Sequence, residues 1–333
     1  MVKKNYLLGI ECTAHTFGIS FIEKKTKKIL CNIKDVFTTE KGGLIPTELG
    51  KHHMKIAEFL FKKALEKTKI NEKEIIAVAV SSSPGLAPCL KEGMIFAKKI
   101  SSSFKIPLVC VNHCIAHLEI GELTGAKDPV LLYVSGANTQ IIAYEGKKYR
   151  IFGETLDLGI GNFIDCFARE LGIGFPGGPK IEEMAKKGKK YLEISYPIKG
   201  MDVSFSGILA KLIHLKNKGE KKEDLAFSMQ ETSFAMLVEA AERALAHLGK
   251  KELLLGGGVA CNSRLQEMCK IMCKERGCKL FIPEKQFLLD NAAMIAYLGL
   301  KMFEKKIFFK PEELNKADFN PRERTDIVKV EWK

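Results

Sequence analysis

The sequence predicts an α/β protein made of two copies of one design, and three observations lead there. Residues 6–23 (YLLGIECTAHTFGISFIE) and 130–145 (VLLYVSGANTQIIAYE) read alike: an apolar strand, a small polar turn, then a second apolar strand. Each is followed by a third strand, at 29–36 in the first half and 148–153 in the second. After each three-strand unit, single apolar strands alternate with helical patterns, the order that covers a sheet with helices.

The elements follow in turn. A helix is expected over 46–68, with Pro46 at its first position, where a missing N–H costs nothing. Strand 75–81, helix 91–104 and strand 108–111 complete the first half. Helix 225–248, strand 252–255, helix 263–276, strand 279–282 and helix 290–303 do the same for the second. Residues 175–222 are rich in Gly, Pro, Ser and Lys and read as short helical pieces. Their Tyr191, Ile194, Tyr196 and Phe205 argue for an ordered insertion rather than a linker. A length of 333 residues suits two domains better than one core. We place them at 1–125, with 305–333 packing back on it, and at 126–304, with the insertion at 175–222 lying over a cleft between the halves. Ligands in such proteins favour clefts.

Composition narrows the function classes. With 46% hydrophobic and 28% charged residues, the chain reads as a soluble globular protein. Its apolar runs, such as 75–80 and 130–134, are too short to span a bilayer, and strand 6–10 begins without a signal-peptide pattern. The expected location is the cytoplasm. The net charge of +13 is concentrated in lysine clusters at 24–28, 186–190 and 216–222. These are either solvated faces or a surface for phosphate backbones, and charge alone does not choose. Ten cysteines include no CxxC pair. Reduced buried thiols are the expectation, with a metal on Cys269, Cys273 and Cys278 the alternative.

Four local patterns carry chemistry. The turn Ser135-Gly136-Ala137-Asn138-Thr139 joins two apolar strands with small residues, exposed amides and hydroxyls that suit phosphate oxygens, though a plain hairpin would look the same. Cys12-Thr13-Ala14-His15-Thr16 is its counterpart in the first half. Residues 256–262 (GGGVACN) follow a strand and open a helix, which favours anions or serves tight packing. Phe175-Pro176-Gly177-Gly178-Pro179 precedes a helix in the same way. His113 and His117 stand at i, i+4, so on a helix both imidazoles share one face at chelating distance. Asp290 is either the N-cap of the last helix or a hard oxygen donor that completes a two-histidine site.

The strings VNHCIAHLEIG (111–121), LYVSGANTQ (132–140), ETLDLGIGN (154–162), FARELG (167–172), FPGGPKIEE (175–183), KGMDVSFSG (199–207), QETSFAML (230–237) and GGGVACNSRL (256–265) occur in unbroken order. Together they resemble the archaeal and eukaryotic branch of the universal tRNA threonylcarbamoyltransferases, the catalytic subunits of the KEOPS complex, formerly called O-sialoglycoprotein endopeptidases. The resemblance runs from about residue 7 to 330. It implies an actin-like, Hsp70-like fold of duplicated RNase H-like domains around a nucleotide cleft. It implies iron or zinc on His113, His117, Tyr133 and Asp290. It implies ATP or threonylcarbamoyl-adenylate, with magnesium, bound by Tyr133, Val134, Ser135, Gly136, Ala137, Asn138, Asp165, Gly178, Glu182, Gly257, Gly258 and Asn262. Thr13 joins them from the first phosphate-side turn, and His15 and Glu11 are the candidates for proton transfer. The activity it implies is transfer of threonylcarbamoyl to the amine of adenosine 37 in tRNAs reading ANN codons. Partners would be tRNA, a small atypical kinase subunit and a dimerising subunit, with no membrane.

The chain departs from the family pattern at several positions. Cys12 and Ala137 stand where the family usually has glycine, Cys166 where it has lysine, and Leu288-Leu289 before the metal aspartate where it has Cys-Gly. An arginine of the first helix is Thr47, and Ser83 replaces the first glycine of a turn. A degenerate nucleotide-binding scaffold of the same complex is therefore the alternative reading. A sugar or acetate kinase of the same superfold would not need the paired histidines. A metallopeptidase would need a glutamate where Cys114 stands.

Overall fold

The computed structural model describes residues 5–39 and 43–333, which form two compact units. The first comprises 5–37, 44–120 and 290–333, and the second 38–39, 43 and 121–289.

In the first unit β1 (Tyr6–Glu11), β2 (Thr16–Glu23) and β3 (Ile29–Val36) form an antiparallel meander. Helix α1 (Pro46–Thr68) leads to β4 (Ile75–Ser83), α2 (Ala87–Phe104) to β5 (Leu108–Asn112), and α3 (His113–Glu119) follows at once. The sheet order is β3-β2-β1-β4-β5, with β1, β4 and β5 parallel. Alternation decides which side chains go where. Leu8 and Ile10 lie opposite Phe21 and Ile19. All four enter one core with Leu60 and Phe61 of α1 and Leu90 and Phe96 of α2. Helix α1 starts at Pro46 as expected and ends where Lys69 turns left-handed at φ 58°.

The second unit repeats the plan. Strands β6 (Val130–Val134), β7 (Thr139–Glu145) and β8 (Lys148–Glu154) form the meander. Helices α4 (Ile160–Glu170) and α5 (Gly178–Ala185) come next, then the two-residue strands β9 (Ile198–Lys199) and β10 (Asp202–Val203). Helices α6 (Ser206–Asn217) and α7 (Lys222–Leu248), strand β11 (Glu252–Gly256), α8 (Ser263–Glu275), β12 (Lys279–Phe281) and α9 (Lys285–Leu288) finish it. The sheet order is β12-β11-β6-β7-β8, the same arrangement as in the first unit. Residues 175–222 are ordered, and Ile181, Leu192, Ile194, Phe205 and Leu212 pack into this unit's core. The sequence reading saw helical pieces there and missed the β9–β10 hairpin, whose strands are too short to show an alternating pattern.

Helix α10 (Ala292–Glu304) belongs to the first unit, although its place in the sequence suggested the second domain. Its residues 292–300 are all buried, so it reads as apolar on every side. It lies on the sheet face away from α1 and α2, on a seat of small residues. A β-carbon at Gly9 would stand 2.5 Å from the Ala292 carbonyl oxygen and 2.7 Å from Ala296 Cβ. One at Gly18 would meet Ala292 at 3.3 Å, and Gly299 of the helix itself faces Ala79. The expected helix start at Asp290 also moves. Asn291 is the N-cap, its side chain accepting from the Met294 amide at 3.0 Å. Asp290 is thereby released from capping. Gly9→Ala is predicted to cost roughly 2 kcal/mol by overpacking. Gly207→Ala in α6, whose methyl would meet nothing within 4 Å, is predicted to be neutral or stabilising. Chemical denaturation of both variants tests the seat.

Candidate functional site

In the first unit the parallel strands deliver their carboxyl ends to one place, where open α/β sheets tend to bind ligands. Strand β1 ends on Glu11, and β5 ends on Asn112, which caps α3 by accepting from the Ile115 amide at 3.1 Å. His113 and His117 then project from α3 with ring centroids 4.8 Å apart. Asp290, just before the cap of α10, faces both: its Oδ1 is 3.3 Å from His113 Nε2 and 3.5 Å from His117 Nε2. One ligand atom from each of the three lies within 4.8 Å of the others. The Asp290 backbone carbonyl accepts from Lys34 Nζ at 3.0 Å, which steadies the segment.

Glu11 stands behind this group, fully buried. Its Oε1 accepts from the Thr13 amide at 2.7 Å and the Thr13 hydroxyl at 2.6 Å, and its Oε2 accepts from His113 Nδ1–H at 2.9 Å. A carboxylate only accepts, so it fixes the proton on Nδ1 and turns Nε2 toward Asp290. This is the outer support commonly found behind a metal-binding histidine. Burial pushes the His113 imidazole down, but the Glu11 and Asp290 carboxylates outweigh it, and its pKa ends well above the ordinary value. Burial and the neighbouring His113 charge keep His117 below the ordinary value, against the pull of Asp290. Burial would raise Asp290, but the His113 charge and hydrogen bonds from both histidines hold it well below the carboxylate range. Two imidazoles and an ionised carboxylate, supported from behind, fit a divalent cation such as zinc or iron.

The other expected residues of this unit fall nearby. His15 sits in the β1–β2 turn, with its carbonyl accepting from the Phe37 amide at 2.9 Å, and its charge bears on Asp290. Thr13 is turned toward Glu11, and its hydroxyl is 3.3 Å from His113 Nδ1. Cys12 does not crowd the turn. Its sulfur lies in the core, 3.4 Å from the carbonyl and the hydroxyl of Ser81, and burial raises its thiol pKa. The sequence reading offered Glu11 for proton transfer and missed its role in holding His113. The available signal was a carboxylate ending an apolar strand just before a small polar turn.

The second unit gathers a different set. The Ser135–Asn138 turn closes through the Ser135 amide, which donates to the Asn138 carbonyl at 2.8 Å. It docks on the start of α4, where the Gly161 and Asn162 amides donate to the Ser135 and Gly136 carbonyls at 3.0 and 2.8 Å. Gly257 has φ 91°, and a β-carbon there would strike the Val134 carbonyl, so this glycine serves close packing between strand ends. Gly178 has open space around it, and a β-carbon at Gly258 would meet Leu289 alone, at 3.4 Å. Asp165 accepts from the Gly177 amide at 2.8 Å. Glu182 accepts from the Ser263 amide at 2.9 Å and hydroxyl at 2.5 Å. Asn262 caps α8, and its amide donates to Gln230 Oε1 at 2.9 Å. Asp165, Gly178, Glu182 and Asn262 are thus linked through adjoining loops, while the turn meets the glycine loop at Gly257. Gln230, quoted only inside a longer string, is the member that the sequence reading did not single out. Ala137 lies exposed at the tip of the turn, and Cys166 is 3.5 Å from an Arg169 guanidinium nitrogen. Tyr133, the fourth expected metal ligand, belongs to this unit, buried in β6 and paired with Gln140 and Gly256. Among the described residues no helix is long and apolar enough to cross a membrane.

Comparisons with known proteins identify the family and the fold. The family model described as TsaD, tRNA N6-adenosine threonylcarbamoyltransferase, matches residues 28–297. A protein of that name from Thermococcus sibiricus is 52% identical over 98% of this chain and 99% of its own length. One from Archaeoglobus fulgidus is 47% identical with the same coverage. A Methanosarcina mazei relative, a probable bifunctional tRNA threonylcarbamoyladenosine biosynthesis protein, is 48% identical over 99% of this chain and 60% of its own length. Among solved structures, HypF of T. kodakarensis is similar with a TM-score of 0.63 at 14% identity, covering 94% of this chain and 49% of that one. An activator of 2-hydroxyisocaproyl-CoA dehydratase from Clostridium difficile reaches 0.55 at 12% identity, covering 90% and 97%. These two likenesses bear on the fold alone, and the actin-like α/β class expected from the sequence is the class observed. With a family match over most of its length and relatives near half identity along all of it, this chain belongs to the TsaD family of tRNA N6-adenosine threonylcarbamoyltransferases.

Proposed function

We propose that this chain moves threonylcarbamoyl from threonylcarbamoyl-adenylate to the exocyclic amine of adenosine 37, beside the anticodon of tRNAs reading ANN codons. Its relatives carry the name of that transferase. The observation that carries the reading in this chain is the convergence of His113, His117 and Asp290 with Glu11 behind them. A scaffold without catalysis would not need to maintain that costly buried group.

His113, His117 and Asp290 would hold one divalent ion, iron or zinc, with Tyr133 the fourth donor on the resemblance. Such an ion supplies Lewis-acid polarisation of a substrate oxygen. The protein's own groups do the rest. Glu11 holds the Nδ1–H of His113, so Nε2 is the nitrogen that would meet the ion once its proton is displaced. The 135–139 turn, with Gly136 and Ala137 exposed at its tip, suits the phosphate of the adenylate, with magnesium as a further counter-charge, while Thr13, which the resemblance also assigns to the phosphate, gives its amide and hydroxyl to Glu11. Asp165 and Glu182 are acceptors for nucleoside hydroxyls, with Gly178 and Gly258 leaving room beside them and Asn262 a further polar group. The adenosine amine attacks the carbamoyl carbon, its proton passes to a base, for which His15 is the candidate, and AMP departs. The target base must leave its stack, and surface lysines grip the tRNA backbone without reading sequence.

A KEOPS-type complex in the cytoplasm, with a small kinase and a dimerising subunit, is the setting we propose. The bifunctional relative, longer than this chain, supports a partner domain for the transferase.

Two outcomes test the reading. Supplied with the adenylate-forming enzyme, partner subunits and unmodified tRNA, the protein is predicted to label adenosine 37 from radioactive threonine. The double variant His113→Ala, His117→Ala should lose on the order of a thousandfold in rate, the scale of a Lewis acid's contribution. Labelled tRNA with the double variant would remove the metal from the mechanism. No label with wild type, despite tRNA and nucleotide binding, would favour the scaffold. The second outcome concerns pH. His113 keeps a proton above the ordinary histidine range, and a metal must displace it. Zinc affinity is therefore predicted to rise about tenfold per pH unit below the His113 pKa, with one proton released per ion. A profile that stays flat up to the ordinary histidine value of 6.5 would contradict it.

A further inference from the structure

The two candidate metal histidines ride on a helix of seven residues. A helix that short has no stability of its own, so its orientation must come from its surroundings. The segment after α10 provides contacts at both of its ends. Residues 305–333 carry little regular structure, yet Ala317, Thr325 and Trp332 are buried. The segment pairs with β5 through Leu108 and Phe309, whose amides and carbonyls exchange hydrogen bonds at 2.8 and 2.9 Å. It then crosses the end of β4, where the Asn320 amide donates to the Ser82 carbonyl at 2.9 Å and the Pro321 carbonyl accepts from the Gly85 amide at 3.2 Å.

At the start of α3, Glu323 accepts from the Ser83 hydroxyl and from Asn112 Nδ2, the latter at 3.1 Å. Because a carboxylate only accepts, it fixes which end of the Asn112 amide faces it. The Asn112 oxygen is left pointing into α3, where it caps the Ile115 amide. At the other end, the fully buried Glu119 pairs with Lys301 of α10 and accepts from Trp332 Nε1–H at 3.2 Å. A buried charge set of this kind is seldom the cheapest way to fill space, since apolar side chains of similar volume pack as well. What it adds is direction.

We propose that Glu323 and Trp332 are positioning residues for the metal-binding reaction step: the segment after α10 clamps α3 at both ends, through Asn112 and Glu119, and so sets the angle at which His113 and His117 meet Asp290. All four stand outside the His113, His117 and Asp290 group. The inference rests on the metal reading above.

The test uses the purified full chain, freed of metal, and cobalt(II) as the probe, read by competition for affinity and by its visible bands for ligand geometry. Glu323→Ala and Trp332→Phe are the variants. The second keeps the aromatic ring and removes only the N–H, so it decides the matter if the first does not fold. Each is expected to bind cobalt about tenfold more weakly, the lower range for an outer support, and to shift or weaken the bands. Variants that lose melting temperature but keep wild-type affinity and bands would overturn the proposal, leaving the segment as packing. Wild type that binds no cobalt would overturn the metal reading, and this inference with it.

Discussion

The hydrogen bond from His113 Nδ1 to Glu11 is the constraint around which the first unit is arranged. It joins the end of β1 to the start of α3, two places about a hundred residues apart in sequence, and it commits one face of the imidazole to the protein. What is left is a single nitrogen aimed at Asp290. The same carboxylate holds Thr13, so the turn after β1 and His113 share one anchor. Four ionisable groups meet here, Glu11, His113, His117 and Asp290. Burial lowers both imidazoles, but at His113 the Glu11 and Asp290 carboxylates outweigh it, while at His117 burial, with the neighbouring His113 charge, prevails.

The seat of α10 makes that geometry possible. Asp290 reaches the histidines because the helix following it lies close to the sheet, and it lies close because Gly9, Gly18 and Ala79 present almost no side chain to it. Small residues in mid-strand weaken a sheet on their own account. Here the loss is offset by a helix buried along most of its length. With α10 in place, Lys301 meets Glu119, so the helix that delivers the third ligand also braces the helix that carries the other two.

Much of this was legible in the sequence, and the part that was not has a physical reason. The repeated meander was visible because its strands alternate or run apolar over five to eight residues, and β3 fell at 29–36 as read. Helix α1 announced its start through Pro46. His113 and His117 were found because a helical period places them together whatever surrounds them. Asp290 was ambiguous until Asn291 proved to be the cap, since two adjacent residues of capping type look alike in sequence. That the side chain of Cys12 turns into the core, at a position where the family usually has glycine, is not something its place in a turn discloses. The roles of Glu323 and Trp332 could not be read at all. They depend on contacts across some two hundred residues, in a segment with no period to betray its path. Much of the nucleotide-loop assignment and the transferase reading came from resemblance, as turns such as 135–139 are common where no phosphate binds.

The most direct measurement is X-ray absorption fine structure on the purified protein loaded with one equivalent of zinc. The account predicts nitrogen and oxygen neighbours at about 2.0–2.1 Å, with the outer-shell scattering of two imidazoles. That pattern should be lost when His113 and His117 are replaced. A first shell without imidazole scattering, or one containing the sulfur of a cysteine, would contradict it and place the metal elsewhere.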